Sequence, residues 1–203
     1  MHARMYVLTL LTLCVFVTFP MATHATATST VITTSTTFAP GEYFFDTLRV
    51  ASSSTLTLQG DPSRSGFKGV IIHANNVVVD DGSSISADAQ GYPAGEGPGA
   101  PSPTNYSSGA SYGGVGNGNT ATSTYGSALH PTELGSGGYG FGGGAMQLIV
   151  TGTVQNDGRI SADGYSASSG GSIYVTAHTL TGTGVFSAMG GALASGGSYH
   201  FPG

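Results

Sequence analysis

The stretch NDGRISADG (Asn156–Gly164) decides the fold, because the chain writes it three times. DGSSISADA (Asp81–Ala89) comes earlier, and TGVFSAMGG (Thr183–Gly191) follows. In each copy a Gly-containing corner leads into a short stretch in which apolar and small residues alternate. Gly, Asp and Asn turn chains cheaply, and alternation sends every second side chain to one side of a strand. The phrase therefore reads as one corner and one strand of a repeating unit.

Residues before the phrase fall into register with it. Val50, Val78, Val154 and Leu180 correspond, and six or seven residues later come Leu56, Ile85, Ile160 and Phe186. Leu58, Ala87, Ala162 and Ala188 follow two positions on. Upstream, Val70, Ile72 and Ala74 match Met146, Leu148 and Val150, then Ile173, Val175 and Ala177. The period is 28 from Val50 to Val78 and 26 from Val154 to Leu180, with an insertion in between. Each unit holds three short strands, such as MQLIV, GTV and RISA. A unit this short cannot bury its apolar face alone, whereas stacking equivalent strands in parallel does bury it. The expectation is an all-β chain, a parallel β-helix of about four coils. A sandwich of hairpins offers no reason for such a period, and the consensus of leucine-rich repeats is missing.

The segment between Asp88 and Gly144 is different material. It carries 17 of the 34 glycines and the aromatics Tyr92, Tyr106, Tyr112, Tyr125, Tyr139 and Phe141. It reads as a long excursion from one corner, supplying no position to the ladders. The shorter excursions DGYSASSGG and GGALASGG leave from the same corner, so one face carries every insertion.

The first residues stand apart. MHARMYVLTLLTLCVFVTFP has a weakly basic start and an apolar run from Met5 to Phe19, followed by small residues. This pattern predicts a secretory signal peptide over residues 1–27, cut near Ala25 or Ala27. The run is short of the ~20 residues that span a bilayer. Cys14, the chain's one cysteine, leaves with it. The domain expected to remain, residues 28–203, has four basic residues (Arg49, Arg64, Lys68, Arg159) against ten acidic ones. No basic patch exists to attract nucleic acid, no membrane span is expected in the mature chain, and the expected location is secreted or at the cell surface. Ser198–Phe201 begins another coil that Pro202-Gly203 interrupts, as in a fragment of a longer protein.

The succession GGGAMQLIVTGTVQNDGRISADG and SGGSIYVTAHTLTGTGVFSAMGG resembles glycine-rich right-handed β-helix segments of large bacterial surface and adhesin-like proteins, which have a pectin-lyase-like shape. The resemblance runs from about Phe38 to the C-terminus and implies a single-stranded right-handed parallel β-helix with no particular activity.

Four carboxylates invite a chemical reading. Asp88 and Asp163 share one register just after the strand, and Asp81 and Asp157 share the corner before it. Stacked carboxylates need solvent or a cation between them, and oxygen ligands at these corners suit Ca²⁺. The competing reading is turn chemistry, with each carboxylate capping nearby backbone N–H groups. No other cofactor is implied. No residue set points to catalysis: Arg159 is the only basic residue near either corner, and His73, His130, His178 and His200 lack metal-ligand spacing. Tyr92, Tyr106, Tyr112, Tyr125 and Tyr139 offer flat apolar faces beside hydrogen-bonding groups, a mixture that suits saccharides and cell-surface components. The sequence thus favours a non-catalytic extracellular structural or adhesive module. The alternative is a polysaccharide-acting lyase or hydrolase, and oligomeric state stays open.

Overall fold

The structure, a computed structural model, describes residues 28–101, 108–117 and 124–192. The signal-peptide segment, Tyr106 and Ser198–Phe201 lie outside these residues. Those described form twelve strands and no helix: β1 (Thr30–Ile32), β2 (Thr36–Phe38), β3 (Gly41–Val50), β4 (Thr55–Leu58), β5 (Val70–Val79), β6 (Ser84–Ser86), β7 (Ala145–Val150), β8 (Thr153–Asn156), β9 (Arg159–Ser161), β10 (Ser172–Thr176), β11 (Thr179–Thr181) and β12 (Val185–Ser187). Every pairing between them is parallel. One sheet runs β1-β3-β5-β7-β10, with β8 beside the second half of β5 and β11 beside β8; the other runs β2-β4-β6-β9-β12. Each strand thus lies beside its equivalent in the next repeat, a layout compatible with a β-helix or other solenoid.

Alternation explains the interior. Along β5, Val70, Ile72, Ala74, Val77 and Val79 are buried while the residues between them are not. Leu56, Ile85, Ile160 and Phe186 stack in one ladder, and Val70, Met146 and Ile173 in another, as the repeat predicts. The first ladder read from the sequence is corrected. Val154 pairs with Val77 and Leu180, and Val77 pairs with Leu48. Val50 pairs instead with Val79, and Val78 sits between Arg49 and Gln155 on the outer face. Val78 misses Val50 because these two repeats step by 29 residues rather than 28, and Val154 is displaced by a change in corner length: four residues, 51–54 and 80–83, separate the strands of the earlier repeats, against only Asp157 and Gly158 later. The same shift aligns Asp80, rather than Asp81, with Asp157.

β3 and β5 are single ten-residue strands, whereas the later repeats break at Thr151-Gly152 and Ala177-His178. Side chains tie this bend together. Asn75 donates to Asp46 (2.7 Å) and accepts from the Thr151 hydroxyl (2.8 Å). Hydrogen bonds from Asn75 and Ser29 hold the Asp46 carboxyl below the usual carboxylate range. On the outer face, Arg49 grips Asp80 through two nitrogens, at 3.0 and 2.8 Å. At the first level, Phe38 stacks on Tyr43 (ring centroids 4.3 Å apart) and, more loosely, on Phe45 (6.1 Å). These rings pack against the core and cover its N-terminal end.

The glycine-rich insertion supplies none of its described residues to the strand ladders, yet it is joined to the stack and has buried residues of its own. Leu134 is fully buried, and Ser111 and Ser136 are buried with it. Its backbone bonds to itself and to the next repeat's loop: Gly91 N–H to Gly142 O (2.6 Å), Tyr92 N–H to Gly135 O (3.0 Å), Gly143 N–H to Ser169 O (2.9 Å) and Ala110 N–H to Ala167 O (2.8 Å). Glycine is required by closeness. A Cβ on Gly142 would stand 1.9 Å from the Gly135 carbonyl oxygen, and one on Gly171 1.8 Å from that of Gly144. Backbone lies directly on backbone where the strands elsewhere interpose side chains.

Candidate functional site: the insertion edge

The corner after β6 and β9 brings together two of the four aspartates. Ser86-Ala87-Asp88, Ser161-Ala162-Asp163 and Ser187-Ala188-Met189 occupy successive levels. Asp88 accepts the Asp163 backbone N–H at Oδ1 (2.7 Å) and the Ser161 hydroxyl at Oδ2 (2.9 Å). One level on, Asp163 repeats this with the Met189 N–H (2.7 Å) and the Ser187 hydroxyl (2.6 Å), both at Oδ1. Its Oδ2 takes the Arg159 guanidinium. Each carboxylate therefore caps the strand end of the next level, and the serine of I-S-A is the hydroxyl it captures. Backbone bonds run the other way, from Ala89 N–H to Asp163 O (2.9 Å) and from Gly164 N–H to Met189 O (2.8 Å). The corner is latched in both directions.

Asp157 lies at the opposite end of β9. It accepts the Thr183 N–H (3.2 Å) and the Gln155 side-chain amide (2.7 Å). Asp81 is exposed in the longer corner of its own repeat. The four aspartates are thus divided between two corners. Among the described residues no three His, Cys, Asp or Glu side chains gather where they could hold a metal ion. At Asp88, Asp157 and Asp163 the oxygens a cation would use accept N–H and O–H donors, which is the turn chemistry the corner sequence allows.

Tyr92, Tyr112 and Tyr125 line the insertion with their hydroxyls anchored and their rings half-buried. The Lys68 ammonium donates to the Tyr92 hydroxyl (2.7 Å); at 5.0 Å from the ring centroid it sits off the hydroxyl end of the ring rather than over its face. Ser172 donates to the Glu133 carbonyl (2.6 Å), so the Tyr112 hydroxyl donates to Ser172 (2.6 Å). Tyr125 donates to the Leu134 carbonyl (2.7 Å) and lies 2.8 Å from the Ser136 hydroxyl. The Tyr112 and Tyr125 rings meet edge to face, with centroids 4.7 Å apart. Burial pushes the Tyr125 phenol up to about 12, against the lowering effect of the Ser136 and Ser169 hydroxyls. Tyr139 is half-buried, and its backbone N–H bonds to Ser166 O (3.1 Å). A shallow hollow beside Tyr112 and Tyr125 is lined also by Thr124, Ser127 and Pro131.

Sequence reasoning missed a second feature, on the outer face of the larger sheet. Phe44, 63% exposed, stacks on His73 (4.7 Å, 6° between planes), and His73 lies 3.3 Å from Glu42. The register supplies the signal, since Phe44 and His73 are direct partners on β3 and β5. The chain matches no family model, no curated protein and no solved structure at a significant level. Among the described residues no helix is long and apolar enough to cross a membrane.

Proposed function

We propose that this protein is exported and serves as a structural and adhesive module, secreted or at the cell surface, contacting saccharides or neighbouring surfaces along its insertion edge. The scaffold in this reading is a single-stranded right-handed parallel β-helix akin to the glycine-rich segments of bacterial surface proteins. Its hand follows the rule that about 98% of parallel crossovers within one sheet are right-handed. The observation that carries the reading is the insertion edge itself. Tyr112 and Tyr125 are fixed by their hydroxyls and by each other, and they border a hollow with the polar residues Thr124 and Ser127. Ring faces held rigid beside hydroxyls offer sugar rings contact at little entropic cost.

The test compares the unaltered chain with Tyr112→Ala and Tyr125→Ala on polysaccharide-coated and cell-derived surfaces, with β content followed by circular dichroism. Loss of adhesion with β signal retained supports the proposal. Undiminished adhesion removes the insertion edge from it, and new unsaturated or reducing ends in the polysaccharide replace it with an enzymatic reading.

A further inference from the structure

Charge is missing from the hollow beside Tyr112 and Tyr125. Among the described residues, no Asp, Glu, Lys, Arg or His lines it. The surrounding sequence runs from Gly97 to Thr132 without one Asp, Glu, Lys or Arg. His130, the one side chain of that run able to become a cation, is set against Tyr174 instead, with ring centroids 5.6 Å apart.

The hollow offers ring carbon and neutral hydroxyls. Tyr112 and Tyr125 commit their hydroxyls to Ser172 and the Leu134 carbonyl, so they present ring rather than a free O–H. The Ser127 oxygen accepts the backbone N–H groups of Leu129 (3.3 Å) and His130 (3.1 Å), which leaves its own proton for a ligand. Thr124 is exposed on the same hollow, with a hydroxyl that can donate or accept. Gly126 lets the chain close on Tyr112: its φ is +81°, and a Cβ there would stand 2.8 Å from the ring.

This chemistry separates classes of sugar. A carboxylate or sulfate brought against these rings would lose hydration and meet no cation, a cost with nothing to offset it. The chain adds repulsion, with ten acidic residues against five basic ones and a net charge of −5. A neutral sugar meets neither obstacle, its C–H face on the rings and its hydroxyls on Ser127 and Thr124. We infer that the hollow selects neutral saccharides, those without carboxylate, sulfate or phosphate groups, which rests on the adhesive reading above and narrows it.

The test sets soluble glucan, galactan and mannan each against its own C6-oxidised uronate form, so that charge is what differs within a pair. In affinity gel electrophoresis the full chain should be retarded by at least one neutral polymer and several-fold less by its uronate form. Neutral binding should change by less than about twofold between roughly 20 and 500 mM NaCl, because it involves no ion pair for salt to screen. Thr124→Lys, at an exposed position, brings a cation to the hollow and should raise uronate binding several-fold with the circular dichroism unchanged. Uronate binding equal to neutral binding, or no gain of uronate binding in Thr124→Lys, overturns the inference and leaves the adhesive reading standing. Retardation by none of the polymers overturns both.

Discussion

The coils and the glycine-rich insertion are packed by opposite means. In the coils, ladders of Val, Leu and Ile side chains fill the space between two parallel sheets, and the backbone stays at the rim. In the insertion the backbone itself is the filling: Gly142 on Gly135, Gly137 on Pro93 and Gly138 on Ala167 leave no room for a Cβ. Glycine abundance is usually a mark of chain freedom. Here much of it allows peptide groups to hydrogen-bond across gaps too narrow for any side chain. The two regions therefore fail in different ways, the coils by a wrong polarity and the insertion by a single methyl group.

The largest effect is expected in the coil interior. Val154→Asp would bury an unpaired carboxylate among Val77, Leu180 and their neighbours, at a cost of roughly 4 kcal/mol or more. Val78→Asp, one residue from the buried Val77, should change stability by less than about 1 kcal/mol, because position 78 faces outward beside Arg49. Thermal melts of the two variants decide the register directly. Equal destabilisation would restore Val78 to the interior.

The insertion should respond to a much smaller change. Gly142→Ala drives a methyl group into the Gly135 carbonyl and should cost about 1–3 kcal/mol. Gly113→Ala, with nothing within 4 Å of its Cβ, should stay within about 0.5 kcal/mol. Amide exchange at Gly91, Tyr92 and Gly135 would localise the first effect. If Gly142→Ala is silent there, the glycine packing is looser than its distances imply.

Between the two regions lies the latched corner. Asp88→Ala strands the Asp163 N–H and the buried Ser161 hydroxyl, with an expected loss of about 1–3 kcal/mol in denaturant unfolding. Supplementing the buffer with Ca²⁺ should leave the unaltered protein's midpoint where it was, since Asp88 and Asp163 already have donors. A rise in midpoint abolished by Asp88→Ala would instead favour a cation at this corner.

Legibility from the sequence followed the same division. The ladder through Leu56, Ile85, Ile160 and Phe186 was readable because the first three each stand alone between polar neighbours and Phe186 holds the same place in the repeated phrase. Val77-Val78-Val79 gives no such parity, since any of the three could face inward, and the lengthened corner at Asp80–Ser83 hid the offset. The Asp88 and Asp163 stack was visible in the repeated phrase, but its hydrogen-bond partners lie one level away and depend on register. Least legible was the insertion. Composition marks it as unable to build a side-chain core, and it cannot tell glycine used for freedom from glycine used for closeness. Leu134, a single apolar residue among glycines, carries no periodicity, yet it is fully buried.

The smallest effect concerns how tightly the insertion closes over Tyr125. Its phenol titrates at about 12 in the folded chain against 10.0 when free, and burial is the main cause. Below pH 10 the phenol is protonated whether the chain is folded or not, so its full contribution is present. Between about pH 10 and 12 the unfolded chain loses this proton while the folded chain keeps it, so stability falls as pH rises through that window. Tyr125→Phe removes this dependence along with the hydrogen bond to the Leu134 carbonyl. At neutral pH the variant should therefore be less stable by about 1 kcal/mol. As pH climbs from 10 towards 12 the gap should narrow, because only the unaltered chain is losing stability at this site. Denaturant midpoints of both proteins measured across that range give the answer. A constant gap would mean that water reaches the phenol, and the insertion would then be a looser cover than its backbone bonds suggest.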